Sequence, residues 1–240
     1  MLAYGICIGK TDKFITVCQP TIPSGSPVLV RRGQESIYTA YNSIIEEALE
    51  LDQLEALVLL HDDVALGQGF EDDVRRALSL GADIVGAVGA RNPRSIAWWE
   101  GEKKGKAIEP TRVFDYGGGV HEVDTVDGLI MVLSRAAVTK LRFDDARFSG
   151  FHGYDIDLCS TARLIGMNVV VAPLDLVHHS KGSLGDVNAW RKADLEWRRK
   201  WRHISAIGYI AGRAALQAHI VSHATRRLRR RLALLASKGD

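Results

Sequence analysis

Short apolar runs alternate with stretches of helical periodicity from the N-terminus to about residue 175. This alternation is typical of an α/β fold, in which helices cover a mainly parallel sheet. The sequence therefore predicts a three-layer α/β/α sandwich. Strands are expected at 4–8, 27–30, 57–60, 82–88, 129–133 and 168–172, and helices at 34–51, 70–80, 136–141 and 155–165.

Residues 89–124 interrupt this pattern, because they show no strong periodicity of either kind. The segment contains the adjacent tryptophans Trp98 and Trp99 and the glycines 117–119. An irregular segment of that length inside a compact domain is more often functional than a linker. We therefore expect a functional loop region here.

Charge is unevenly distributed along the 240 residues, although the net charge is only +2. Residues 187–240 contain 13 Lys and Arg against 3 Asp and Glu, whereas residues 1–186 contain 18 against 26. We expect two parts: a folded domain over 1–186 and a basic, Trp- and Arg-rich helical extension over 187–240.

The extension allows several interpretations. Trp190, Trp197 and Trp201 recur at roughly helical spacing and are expected to pack on the domain. The apolar stretch 204–221 and the basic run 226–231 would suit peripheral contact with an anionic membrane, a solvated helix or an oligomer contact. Nucleic-acid binding is not favoured, because no recognised nucleic-acid module accompanies the basic run. We expect neither a membrane span nor a secretory signal.

The three cysteines, Cys7, Cys18 and Cys159, show neither a CxxC pair nor metal-finger spacing. Their number and spacing predict reduced thiols in a cytoplasmic protein and no structural zinc.

Polar side chains lie at the ends of three of the predicted strands. His61-Asp62-Asp63 comes directly after the apolar run 57–60, Asp127 precedes the run 129–133, and His178-His179 follows the run 168–172. Ligands of open α/β sheets bind beyond the carboxyl ends of the strands. Adjacent carboxylates there could hold Mg²⁺ or Mn²⁺, although aspartates are also common in the turns after strands.

Two clusters later in the chain can also be interpreted either as functional or as purely structural. Asp155 and Asp157 begin a predicted helix, where they either complement the helix dipole or perform chemistry. The preceding loop, 151–154, is rich in aromatic residues and glycine and suits a sugar-sized acceptor. A histidine at 178 could complete a metal site and Lys181 could meet a phosphate, but a histidine at a strand end is often only structural.

The order of these motifs resembles the glycosyltransferase family 2-like proteins, which have a GT-A fold. Within that family the chain is most similar to the small bacterial group related to a streptomycin-biosynthesis protein domain. The resemblance covers residues 2–183 and is most specific in its later half. Its motifs are Tyr41-Asn42, His61-Asp62-Asp63, Val-Asp127-Gly-Leu, Phe143-Asp144-Asp145, Phe-His152-Gly-Tyr154-Asp155-Ile-Asp157-Leu and His178-x-Ser180-x-Gly182.

The resemblance implies roles for individual residues. Asp63 and His178 would bind a divalent cation, Mn²⁺ or Mg²⁺, with His179 as the alternative to His178. Asp155 would be the general base; it follows Tyr154, where many relatives have Glu. The donor side would comprise Asp62, His61, Asp12 and Lys181, and the acceptor side Asp127, Tyr154, His152 and Trp99.

The implied function is metal-dependent transfer of a sugar, with inversion, from a nucleoside-diphosphate donor to a saccharide or lipid-linked acceptor. The implied setting is bacterial surface polysaccharide or glycolipid synthesis, in the cytoplasm or at the inner face of the cell membrane. Two alternatives stay open: a nucleotidyltransferase of similar architecture, and a non-catalytic domain that binds a sugar or a membrane.

Overall fold

A seven-stranded mixed sheet lies at the centre of the computed structural model, which describes residues 1–9, 13–180 and 185–201. The described strands are β1 (Leu2–Ile8), β2 (Val28–Arg32), β3 (Ala56–Leu60), β4 (Val64–Leu66), β5 (Ile84–Gly86), β6 (Val88–Arg91), β7 (Glu102–Glu109), β8 (Arg112–Asp115), β9 (His121–Glu122), β10 (Thr125–Val126), β11 (Ile130–Ser134), β12 (Val169–Val171) and β13 (Leu176–His178). The described α-helices are α1 (Ile37–Ala48), α2 (Phe70–Ser79), α3 (Arg135–Lys140), α4 (Tyr154–Leu164) and α5 (Val187–Trp201).

The central sheet has the strand order β2-β1-β3-β11-β5-β12-β9. The pairs β1–β2, β1–β3 and β5–β12 are parallel, whereas β11 and β9 run antiparallel to their neighbours. Five of these seven described strands therefore point the same way. The prediction of an α/β fold with a mainly parallel sheet is confirmed.

Helices cover both faces of this sheet. On one face Tyr4 and Ile6 of β1 belong to a buried cluster with Phe70 and Val74 of α2. On the other face α1 lies so close to β1 that a Cβ on Gly5 would come within 2.6 Å of the Ile44 side chain. The alternation of side chains along β1 thus serves two helical layers, as in a three-layer sandwich.

Each predicted strand and helix in the domain is present, with boundaries that differ by a few residues. The predicted strand 82–88 is divided, because the chain leaves the central sheet after β5 and continues as β6 in a second sheet of order β10-β6-β7-β8. Among the strands that were not predicted, β4 and β13 are three residues long and pair with each other.

The prediction of an irregular segment over 89–124 is wrong. These residues contain most of β6, the antiparallel hairpin of β7 and β8, and β9. Most of the hairpin residues are exposed or half-buried, so the hairpin carries Lys and Arg rather than the apolar alternation of a strand packed on a core. The sequence therefore lacks the alternating apolar pattern that predicts a strand, although the strands form.

Helix α5 contacts the body of the domain through specific polar bonds. Lys200 Nζ lies 2.8 Å from the buried carboxylate of Asp157 and 2.9 Å from that of Asp144. The Asp194 carboxylate accepts a hydrogen bond from the backbone N–H of Ile96 at 3.1 Å. Residues Met1–Lys200 form one compact unit. The domain boundary at residue 186 stays a prediction, and the stretches 204–221 and 226–231 lie outside the described residues.

Two motifs of the resemblance are joined inside the core. The side-chain amide of buried Asn42 donates to the carbonyl of Phe143 at 2.8 Å and accepts from its N–H at 2.9 Å. The ring of Tyr41 packs against Phe143 and Tyr154, with centroids 5.4 and 5.7 Å away. Unpaired backbone groups are costly when buried, so Asn42 stabilises the segment that leads into α4. The structure thus gives these motif residues a positioning function.

Candidate active site

The site begins where strand β3 ends. His61, Asp62 and Asp63 follow its five buried residues, and the chain turns at once into β4. Strand β13 pairs with β4 in antiparallel register, with His178 opposite Val64. This short ladder brings His178 Nε2 within 3.2 Å of Asp63 Oδ1. Residues 115 positions apart in sequence therefore meet because of one three-residue strand pair.

His61 lies in the same group. Its ring centroid is 5.6 Å from that of His178, and potential ligand atoms of His61, Asp63 and His178 all lie within 4.8 Å of one another. Two imidazole nitrogens and one carboxylate oxygen form a donor set suited to a transition-metal ion. From the sequence, His61 was expected on the donor side and not among the metal ligands. Its place two residues before Asp63, in the turn that directly follows a buried strand, could have indicated this position.

The hydroxyl of Tyr154 determines which nitrogen of His61 carries the proton. It donates to the carbonyl of Gly128 at 2.9 Å and lies 2.8 Å from His61 Nε2. Because the hydroxyl has a single proton and a carbonyl only accepts, His61 Nε2 must be the donor to the hydroxyl oxygen. Burial, together with the nearby His178, lowers the pKa of His61 and keeps the ring neutral. Its Nδ1 lone pair is then available to a metal ion.

Two glycines, Gly153 and Gly128, allow the Tyr154 hydroxyl to reach its partners. Gly153, with φ of 76°, precedes α4 in a left-handed conformation that favours glycine, so Tyr154 is the first helical residue. A Cβ on Gly128 would collide with the Tyr154 hydroxyl. The glycines on either side of this contact are therefore required by it.

Asp63 is held in its ionised form. Burial disfavours the charge, but hydrogen bonds from His178 and Lys13 outweigh that cost and hold the pKa of Asp63 well below its usual range. Lys13 Nζ lies 3.0 Å from Asp63 Oδ2. A permanently charged carboxylate beside two imidazoles is the state in which a cation binds.

Asp155 is tuned in the opposite direction. Burial and the neighbouring charge of Asp127 raise its pKa to about 7, against the effect of hydrogen bonds from the N–H groups of Ile156 and Gly128. The Gly128 N–H donates to Asp155 Oδ2 at 3.0 Å, while the Gly128 carbonyl accepts from Tyr154. One peptide segment therefore connects Asp155 with the histidine group. A carboxyl group that titrates near neutral pH can act as a general base there.

The residues expected on the acceptor side have different environments. Asp127 accepts hydrogen bonds from the Trp98 indole at 3.0 Å and from the Leu129 N–H at 2.8 Å, so its carboxylate is fixed. Trp98 is buried, whereas Trp99 is 40% exposed. The backbone carbonyl of His152 accepts a hydrogen bond from the Tyr38 hydroxyl. Burial lowers the pKa of the His152 imidazole.

The remaining predicted residues are placed as follows. Asp62 accepts a hydrogen bond from the Gly9 N–H at 2.9 Å, which ties the ends of β3 and β1 together. His179 contributes its main chain: its N–H donates to the Asp63 carbonyl and its carbonyl accepts from Lys13. Asp12 and Lys181 lie outside the described residues. Asp157, at the start of α4, is paired with Lys200.

Known structures share this architecture. The crystal structure of GalNAc-T7 with UDP, GalNAc and Mn²⁺ superposes with a TM-score of 0.53 at 14% identity, over 90% of this chain and 44% of that one. The crystal structure of A197 from STIV superposes with a TM-score of 0.51 at 13% identity, over 75% of this chain and 87% of that one. Identities this low show the fold alone, which is GT-A-like as predicted.

The sequence comparisons define the family. Residues 26–185 match the model of the glycosyltransferase like family. The streptomycin biosynthesis protein StrF of Streptomyces griseus is 33% identical over 221 residues, which cover 85% of this chain and 76% of that protein. The chain belongs to the glycosyltransferase like family. The resemblance inferred from the motifs is confirmed.

No helix in the described part of the chain combines the length and apolar character needed to cross a membrane.

We predict that Tyr154→Phe weakens Mn²⁺ binding by about 10–100-fold, the usual cost of losing a hydrogen bond that orients a histidine ligand. The substitution keeps the ring, which packs on Tyr41, but removes the hydroxyl that holds His61. Mn²⁺ binding to the purified protein, measured by isothermal titration calorimetry, tests this prediction.

Tyr38→Phe is the matched control, because it also removes a hydroxyl that donates to a main-chain carbonyl but does not contact His61. Equal Mn²⁺ affinities for both variants and the wild type would contradict the assignment of Tyr154.

Proposed function

We propose that this protein is a divalent-metal-dependent glycosyltransferase that moves a sugar from a nucleoside-diphosphate donor to an acceptor hydroxyl with inversion. One observation carries the proposal: at one edge of a glycosyltransferase-like fold, two imidazoles and an ionised carboxylate lie beside a second carboxyl group whose pKa is raised. Pairs of titratable groups tuned apart in this way are typical of acid and base assignments.

The ligand chemistry favours Mn²⁺ over Mg²⁺. His61, Asp63 and His178 would hold the ion, and two of these three ligands are imidazoles, whereas Mg²⁺ prefers an all-oxygen shell. When bound, a divalent ion neutralises negative charge on the diphosphate as the sugar leaves. The GalNAc-T7 structure contains UDP and Mn²⁺, which supports this ligand class for a protein of the same fold.

Asp155 would accept the proton of the attacking hydroxyl. A base with a pKa of about 7 is about half ionised at neutral pH and still basic enough to take a proton in the transition state. The reaction then needs no covalent intermediate: the acceptor oxygen attacks the anomeric carbon while the diphosphate leaves from the opposite side. A single displacement of this kind inverts the anomeric centre.

Acceptor binding is assigned to Asp127, Trp99 and His152. The exposed indole of Trp99 offers an apolar face of the kind on which sugar rings stack. The hydroxyl of Tyr154 is used by His61 and Gly128, so we assign Tyr154 to positioning the metal ligand.

Asp62, Asp12 and Lys181 stay predicted donor contacts. Peripheral membrane contact through the basic extension, a lipid-linked acceptor and a cytoplasmic location also stay predictions.

We expect Mn²⁺-dependent release of nucleoside diphosphate from one member of a panel of sugar nucleotides, and we expect chelator to abolish it. His178→Ala should lower this release at least about 100-fold, because a bound metal contributes several kcal/mol of charge stabilisation. The matched control is His121→Ala, which removes a half-buried histidine on β9 that bonds to Gly118.

The product distinguishes the proposed reaction from its alternative. Release of pyrophosphate in place of nucleoside diphosphate would establish a nucleotidyltransferase. Turnover that survives both chelator and His178→Ala would contradict the metal site.

The pH dependence of kcat tests the base directly. With saturating Mn²⁺, kcat should rise with pH through about 7, since Asp155 must lose its proton before it can accept another. In Asp127→Asn a negative charge that raises the pKa of Asp155 is gone, so the acid limb should move to lower pH.

Asp155→Asn should lower kcat by about 10²–10⁴-fold, the usual contribution of a general base. An acid limb that is unchanged in Asp127→Asn would contradict the assignment of that limb to Asp155.

A further inference from the structure

The ammonium group of Lys13 pairs with Asp63, the carboxylate to which a metal ion would bind. Lys13 Nζ lies 3.0 Å from Asp63 Oδ2 and donates to the His179 carbonyl at 2.6 Å. The other oxygen of Asp63 faces His178 Nε2 at 3.2 Å. Both carboxylate oxygens therefore have partners, and the negative charge is balanced by an ammonium group.

The residues that follow Lys13 anchor its backbone to the domain. Lys13 is followed by a helical turn, Phe14–Cys18, whose Phe14 and Cys18 side chains are buried. Its own side chain is 32% exposed. A lysine has a flexible four-carbon stem and a point charge, so its ammonium group can move by several ångströms while the backbone stays in place.

A divalent ion and this ammonium group cannot share Asp63 without cost. An ion bound to Asp63 would stand beside Lys13, and like charges so close together in a half-buried site repel each other strongly. The repulsion disappears if an anion enters with the metal and takes over the ammonium group. The group with the right charge is the diphosphate of the donor, which would bridge the metal and the lysine.

We propose that Lys13 is a diphosphate-binding residue that neutralises Asp63 until the donor arrives, so that the divalent ion and the diphosphate bind cooperatively. The inference rests on the proposed function, since it assumes that Asp63 binds a metal and that the donor carries a diphosphate. It assigns to Lys13 two successive partners: the carboxylate in the free protein and the phosphate oxygens in the complex.

Calorimetric titrations with Mn²⁺ alone, pyrophosphate alone and the preformed Mn²⁺–pyrophosphate complex test the proposal; pyrophosphate represents the part common to all nucleoside-diphosphate donors. In the wild type, Mn²⁺ alone should bind weakly and pyrophosphate should increase its affinity. In Lys13→Met, Mn²⁺ alone should bind about tenfold more tightly, within the usual range of coupling between two ligands. Pyrophosphate should then raise the affinity for Mn²⁺ by a smaller factor than in the wild type, because phosphate oxygens still coordinate the ion but no ammonium group is displaced.

Two further variants separate the charge of Lys13 from its other contacts. Lys13→Arg keeps the charge and should preserve the cooperativity of the wild type. Lys140→Met removes an exposed lysine at the end of α3 and should change neither titration. Equal thermal unfolding midpoints for the four proteins would show that they are comparably folded.

The titrations distinguish an error in the role of Lys13 from an error in the proposed metal site. If the wild type binds Mn²⁺ and Lys13→Met shows the same affinity and the same gain from pyrophosphate, the role of Lys13 is wrong and the metal site stands. If the wild type binds Mn²⁺ neither alone nor with pyrophosphate, the proposed metal site is wrong, and this inference falls with it.

Discussion

The hydroxyl of Tyr154 joins three parts of the chain that are far apart in sequence: the end of strand β3 at His61, the turn at Gly128 and the start of helix α4. Because it donates to one partner and accepts from the other, it constrains both the position of the His61 ring and its protonation. The N–H of Gly128 donates to Asp155, so Gly128 connects the histidine group with the carboxyl group of raised pKa. The aromatic residues Tyr38, Tyr41 and Phe143 pack around the Tyr154 ring and hold it there.

Two carboxylates at the same sheet edge are given opposite properties by their neighbours. Asp63 receives hydrogen bonds from Lys13 and His178 and stays ionised, whereas Asp155 is half-buried beside the charge of Asp127, and both effects raise its pKa to about 7. A group that binds a cation must carry its charge at all working pH values, and a group that takes a proton must be able to exchange it. The opposite pKa shifts of Asp63 and Asp155 fit the two roles that we propose for them.

Much of this organisation could be predicted from the sequence, because it depends on local patterns. The buried run ending at Leu60 identifies a central strand, and the polar residues after it identify the functional edge. The order of motifs predicted the family, which the comparisons confirm. The hydrogen bonds of Tyr154 to His61 and of Lys13 to Asp63 could not be predicted, because the partners lie 93 and 50 positions apart in the sequence. The hairpin of β7 and β8 was missed for a different reason: its charged and exposed side chains carry no periodic apolar signal.

The proposed metal site is tested most directly by the position of Mn²⁺ in a crystal soaked with Mn²⁺ and a nucleoside diphosphate, located by anomalous diffraction. We expect one strong anomalous peak in contact with His61, Asp63 and His178, with phosphate oxygens completing the coordination of the ion. A peak bound elsewhere, or bound by Asp155 in place of the two histidines, would contradict the central claim that this edge of the sheet separates a metal-binding carboxylate from a proton-accepting one.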